Sequence, residues 1–118
     1  MRTWTTRACR SSMSVVVVHC SCPDMPSAAR IAQALVDERL AACVQALPGV
    51  ASTYRWQGEV QRADEVLLLI KTTRERVAAL EARLAHLHPC DLPELIVLEA
   101  VGGLRDYLDW VEAESTPA

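Results

Sequence analysis

Five consecutive apolar residues, Val66–Ile70, stand near the middle of the chain. Side chains on a strand alternate between its two faces, so a strand with one wet face alternates apolar with polar. An unbroken run belongs to a strand covered on both sides. Val66, Leu68 and Ile70 then point one way, and Leu67 and Leu69 the other. The run sits in a longer stretch, Val60–Thr73, whose polar first half is expected to project past the sheet. Val15–Ser21 is a second β-branched run without alternation and reads as another central strand. Pro23 ends it, and Asp24 can cap a helix with Pro26 in its first turn. Ala28, Ile31, Ala32, Leu35 and Leu40 carry that helix, at helical spacing, to about Ala42.

Cys43–Gln57 predicts a strand interrupted at Pro48-Gly49 by a kink or bulge, and Gln57-Gly58-Glu59 a tight turn. Thr72-x-x-Glu75 has the form of a capping box. Val77, Leu80, Leu84 and Leu87 follow on one helical face, and the helix should stop at His88, because a residue before proline avoids helical backbone. Leu95–Val101 predicts a fourth strand, Gly102-Gly103 a turn, and Leu104, Tyr107, Leu108 and Val111 a short last helix. The order β-α-β-β-α-β plus a terminal helix is the ferredoxin-like α+β sandwich, with the first and third strands central. Two helices cover one sheet face, and too little chain remains to cover the other, so other copies are expected there.

At 118 residues and 51% apolar, the chain suits one globular domain, assigned to residues 13–114, with 115–118 as a tail. Residues 1–12 hold three arginines and no acid, and are expected to form a disordered tail. A targeting peptide, or a true start at Met13, is the other reading of them. The net charge of −3 argues against nucleic acid and against an anionic membrane surface, and no apolar run is long enough to span a bilayer. Five irregularly spaced cysteines without a secretory signal favour reduced thiols in a cytoplasm.

LAAC (Leu40–Cys43), Tyr54-x-Trp56-x-Gly58, Ile70-Lys71-Thr72, His88-Pro89 followed by Pro93-Glu94, and Tyr107-Leu108-x-Trp110 occur in one order and register. In these the chain resembles the CutA family, the divalent-cation-tolerance proteins, from about Val15 to Val111. The resemblance implies a cytosolic ferredoxin-like protein that forms a homotrimer similar to the PII signalling proteins. It also implies an association with copper and other divalent metals. The chain departs from the family pattern at Glu59, Leu87 and Cys90, where relatives usually carry Lys, a second His and Tyr.

The chemistry concentrates in His19-Cys20-Ser21-Cys22. Cys20 and Cys22 share a strand face, so two thiols lie within reach of one soft ion such as Cu(I). Packing as small apolar side chains is the plainer role for them. The resemblance ranks Cys20 above Cys22 and adds His88, giving Cys20, His88 and Cys22 as metal ligands and copper or another divalent ion as cofactor. It gives Cys43 a structural role. Cys90, in a loop, could ligate or oxidise. A second set, Tyr54, Trp56, Lys71, Glu94 and Trp110, would line a cleft between subunits that takes a small anion or metal complex. In the plainer reading Lys71 has a carboxylate partner and the tryptophans pack.

Enzyme patterns are missing from the sequence: there is no glycine-rich phosphate loop, no H-E-x-x-H and no G-x-S-x-G. Acylphosphatases share the strand order but need an arginine-bearing loop after the first strand, and Ser21–Met25 has none. The expectation is a non-enzymatic protein of copper tolerance. A small-molecule sensor and a scaffold presenting its hairpin to a partner protein are the alternatives.

Overall fold

The computed structural model describes residues 14–117, so the expected tail 1–12 lies outside the described residues. Its elements run β1 (Val15–Cys22), α1 (Met25–Asp37), β2 (Cys43–Trp56), β3 (Glu59–Thr73), a 3-10 turn (Arg74–Arg76), α2 (Val77–Leu87), β4 (Ile96–Glu99) and α3 (Arg105–Glu114). The four strands form one antiparallel sheet in the order β2-β3-β1-β4, so β1 and β3 are central. This is the ferredoxin-like α+β arrangement.

β1 and β3 pair without interruption from Val15↔Thr73 to Cys22↔Val66. Val16, Val18, Cys20 and Cys22 thereby share a face with Val66, Leu68 and Ile70, all buried. Ala28, Ile31 and Leu35 of α1 and Leu80 and Leu84 of α2 close over that face. Complete burial of each Leu or Ile contributes about 1.5–3 kcal/mol, which makes this side the core. On the opposite face α3 covers one end, burying Val15 and Ala42 with Leu108 and Val111. The rest of that face carries Leu67 and Leu69, half-buried, beside Leu47, Ile96 and Leu98, which are 42%, 54% and 45% exposed.

β2 and β3 extend beyond the sheet as a hairpin arm, giving a molecule of 58 × 26 × 22 Å. The register shifts between Leu47 and Val50, where Gly49 takes φ +77°, so Pro48-Gly49 is the expected bulge. Gln57 and Gly58 both have positive φ, 50° and 82°, as a two-residue hairpin turn that follows strand twist requires. Asp24 caps α1 by accepting from the Ser27 amide at 2.8 Å.

Three boundaries differ from expectation. The first helix ends at Asp37 and does not reach Ala42. Arg39 adopts left-handed backbone at φ 57°, and the Leu40 and Ala41 amides both turn back to the Leu35 carbonyl. The guanidinium of Arg39 holds that conformation by donating to the carbonyls of Thr116 (2.7 Å) and Ala113 (2.9 Å) at the end of α3. Ser115 is fully buried there, its hydroxyl donating to the Val111 carbonyl. The capping box does not form. Thr72 belongs to β3, and its buried hydroxyl donates across to the Leu40 carbonyl at 2.7 Å, while Thr73 makes no side-chain cap. The fourth strand spans only Ile96–Glu99, paired with Val16–His19 of β1, and just beyond it the Ala100 amide donates to the Val15 carbonyl.

The Thr72 bond generates a test. Thr72→Val leaves a buried carbonyl without its donor, an effect of about 1–3 kcal/mol, whereas Thr72→Ser keeps the donor. Denaturant unfolding at fixed protein concentration should show the valine variant destabilised by that amount and the serine variant by less. Equal loss in both would mean that the methyl group, not the hydroxyl, matters.

Candidate metal centre

Residues two apart on a strand lie on one side of it, so β1 presents the thiols of Cys20 and Cys22 to the same interior. Both are fully buried. α2 ends at Leu87, and the capping residue His88 has extended backbone (φ −78°, ψ 133°) ahead of Pro89, which drops the imidazole against the end of β1. Cys20, Cys22 and His88 form a cluster in which the ligating atoms all lie within 4.8 Å of one another. The structure therefore gathers the three residues that the sequence reading proposed as metal ligands.

The protonation of His88 follows from its partners. Nδ1 accepts from the Cys90 backbone amide at 3.1 Å, and Nε2 lies 2.7 Å from the Ser21 carbonyl. An amide can only donate and a carbonyl only accept, so the ring is neutral with its proton on Nε2. The two thiols also interact, and the Cys20 thiol lies 3.9 Å from the Ser21 carbonyl. The Cys20 thiol donates toward Cys22, which raises Cys20 above the ordinary thiol value, with burial adding to the rise, and lowers Cys22. Cys90 is exposed yet also raised, first by partial burial and then by Glu65 and Cys22.

Above this cluster opens a cavity of about 910 Å³, bounded by the hairpin arm and the loop after α2. Ser21 and His88 lie in its wall, with Tyr54, Trp56, Glu94 and Cys90 around it. The Ser21 hydroxyl donates to Glu94 Oε1 at 3.5 Å. Glu65 also lines the cavity. It was not singled out from the sequence, although the pairing Cys22↔Val66 puts it one position beyond the thiols.

Lys71 and Trp110 are not part of this group. Lys71 pairs with Val17 on β1, five residues along β3 from Val66, or about 17 Å at strand rise. Its ammonium donates to the side-chain carbonyl of Gln45 and sits 5.9 Å from the Tyr107 ring centroid, so the expected carboxylate partner is replaced by an amide and an aromatic face. Trp110 joins through Tyr107, the two ring centroids 5.6 Å apart. Tyr107 was missed as a site residue; its spacing of three from Trp110 on one helix was the available signal.

The antiparallel ferredoxin-like α+β sandwich defines the class, and this chain places a buried dithiol-imidazole cluster at one end of its central strand. Residues 16–114 match the model of the family described as CutA1 divalent ion tolerance protein. The chain belongs to that family. The divalent-cation tolerance protein CutA of Thermus thermophilus is 50% identical over 95 residues, covering 80% of this chain and 92% of the relative. The crystal structure of CutA from Xylella fastidiosa superposes with a TM-score of 0.85 at 48% identity, covering 87% of this chain and 99% of that one. The structure of CutA from Archaeoglobus fulgidus, titled a periplasmic divalent cation tolerance protein, superposes at 0.83 with 27% identity, covering 86% and 99%. Among the described residues no helix is long and apolar enough to cross a membrane.

The Cys20 thiol predicts an alkaline limb of instability. Cys20 is raised above 9.0 in the fold, so its contribution is complete below that pH. Above it the unfolded chain releases a proton that the fold retains, and stability falls. Chemical denaturation at fixed ionic strength should show a midpoint that declines above about pH 9, and a shallower decline in Cys20→Ala. Parallel profiles would mean that Cys20 does not hold that proton.

Proposed function

We propose that this protein binds a thiophilic metal ion, copper, between Cys20, Cys22 and His88, and acts in divalent-cation tolerance as a non-enzymatic cytoplasmic homotrimer. The observation that carries the reading is the convergence of three ligating atoms within 4.8 Å in the interior. Metal–thiolate bonds are about 2.3 Å long, so two donors bracketing one ion stand at most about 4.6 Å apart. The donor set therefore fits an ion with only small side-chain adjustments. Two thiolates and one imidazole suit a soft ion such as Cu(I) and fall short of the four ligands of structural zinc. The thiols are the first donors, because both ring nitrogens of His88 already have partners. Free cysteines at 20, 22, 43 and 90 support a reducing compartment.

The bare sheet face supports the assembly. Leu47, Ile96 and Leu98 are exposed beside Leu67 and Leu69, and contiguous apolar surface of this kind marks an interface. The choice of three copies rests on the family resemblance. A second reading is supported by the cavity between arm and loop, where Tyr54, Trp56 and Glu94 could hold a small metabolite or metal complex. Glu65, Asp91 and Glu94 there outnumber Arg55, which favours a cation over a free anion. Lys71 and Trp110 would enter the same cleft only from a neighbouring copy.

Anaerobic titration of reduced protein with Cu(I) should give thiolate-to-copper absorption saturating at one ion per protomer. Cys20→Ser and Cys22→Ser should each weaken binding by roughly 10–100-fold or more, and Cys43→Ser should leave it unchanged. An affinity untouched by Cys20→Ser would remove the metal reading.

Light scattering behind a sizing column should report about three times 13.0 kDa. Leu69→Asp on the bare face should yield smaller, aggregation-prone species, whereas Leu68→Asp in the closed core should prevent folding. A Leu69→Asp protein that stays trimeric would place the interface elsewhere.

A further inference from the structure

The buried thiol pair has no direct contact with solvent. Cys20 and Cys22 are fully buried, and neither lines the cavity. Between cavity and thiols stand Ser21 and the ring of His88, which is 8% exposed. A third thiol, Cys90, is exposed and lines that same cavity two residues past His88. It lies outside the cluster of three ligating atoms, so it is not a fourth ligand of the closed site. Its backbone amide is the group that occupies His88 Nδ1. Displacing Cys90 and freeing the imidazole lone pair are therefore one movement.

We propose that Cys90 is the landing thiol through which Cu(I), carried to the protein as a thiol complex, reaches Cys20 and Cys22. The inference rests on the metal site proposed above and adds how the ion arrives and from what class of donor. Copper on a donor thiolate exchanges onto Cys90. One S–Cu bond forms and one breaks, and the proton of Cys90 leaves with the departing donor thiol. Binding at Cys90 draws its amide from Nδ1, and the released imidazole turns out of the path. Cys22 then displaces Cys90, the Cys22 proton passing to the Cys90 sulfur. Cys20 displaces a second donor thiolate still held by the copper, its proton leaving with that donor thiol, and the neutral His88 adds through its free lone pair. Copper stays monovalent throughout, so no oxidant or reductant is required. Glu65, Asp91 and Glu94 around the cavity favour a cation on this route. A soft donor at position 90 accepts copper from a thiol complex where an oxygen donor would not.

The test uses the full chain, anaerobic, with Cu(I) held in excess glutathione as the probe. Stopped-flow luminescence of water-shielded copper thiolate reads the loading rate, and competition with bicinchoninate reads the final affinity. Cys90→Ser should slow loading and unloading alike by roughly tenfold or more, with affinity unchanged, because a transit site alters the path and not its ends. Cys90→Met, which restores a soft sulfur without a thiol, should recover the rate. Unaltered loading in Cys90→Ser, or a Cys90→Met protein as slow as Cys90→Ser, overturns the proposal. Loss of affinity in Cys90→Ser overturns it too, by making Cys90 a resident ligand. Absence of copper binding in the unmodified protein is a different result, which removes the metal site itself.

Discussion

The uninterrupted pairing of β1 with β3 is the constraint on which the rest depends. Eight residue pairs, Val15↔Thr73 to Cys22↔Val66, fix which side chains of the two central strands meet the helices. Side chains alternate with period two, so a slip of one residue would exchange the faces of an entire strand. Leu68 and Ile70 would then lose the cover of α1 and α2. Cys20 and Cys22 would leave the interior that His88 reaches. Core and thiol-imidazole cluster are set by the same register, and neither can be shifted without the other.

Much of this was legible in the sequence, because unbroken apolar runs have few explanations. Val15–Ser21 and Val66–Ile70 announced the two central strands, and period two placed Cys20 with Cys22. The misplaced boundaries share one physical cause: each depends on a partner remote in the chain. Arg39 ends α1 in left-handed backbone because its guanidinium finds the carbonyls of Ala113 and Thr116, more than seventy residues away. Thr72 abandons a capping role because its hydroxyl finds the Leu40 carbonyl in the loop after α1. Local spacing holds no sign of either bond. The convergence of His88 on the thiols was likewise not derivable from spacing; it came from likeness to a family. The division of the second constellation, with Lys71 and Trp110 apart from Trp56 and Glu94, reflects the length of β3, which separates the two ends of the sheet.

The neutral imidazole of His88 links the loop after α2 to β1 by hydrogen bonds at both nitrogens. A side chain so engaged holds structure, and it could ligate an ion only by giving one bond up. The thiols show the complementary behaviour. Each would give up its proton on binding a metal ion, which would replace the contact between them with a bond to each sulfur.

The bulge at Pro48-Gly49 has a bearing on polymerisation. β2 forms an outer edge of the sheet over fourteen residues, Cys43–Trp56, and a flat edge of that length is a template for adding strands from other molecules without limit. Proline withholds one amide from that edge, and the register shift beside it divides the strand into Cys43–Leu47 and Val50–Trp56. No incoming strand can pair straight through the break. Straight edge-to-edge growth along the whole of β2 is thus disfavoured, although the strand is long and lies at the border of the sheet.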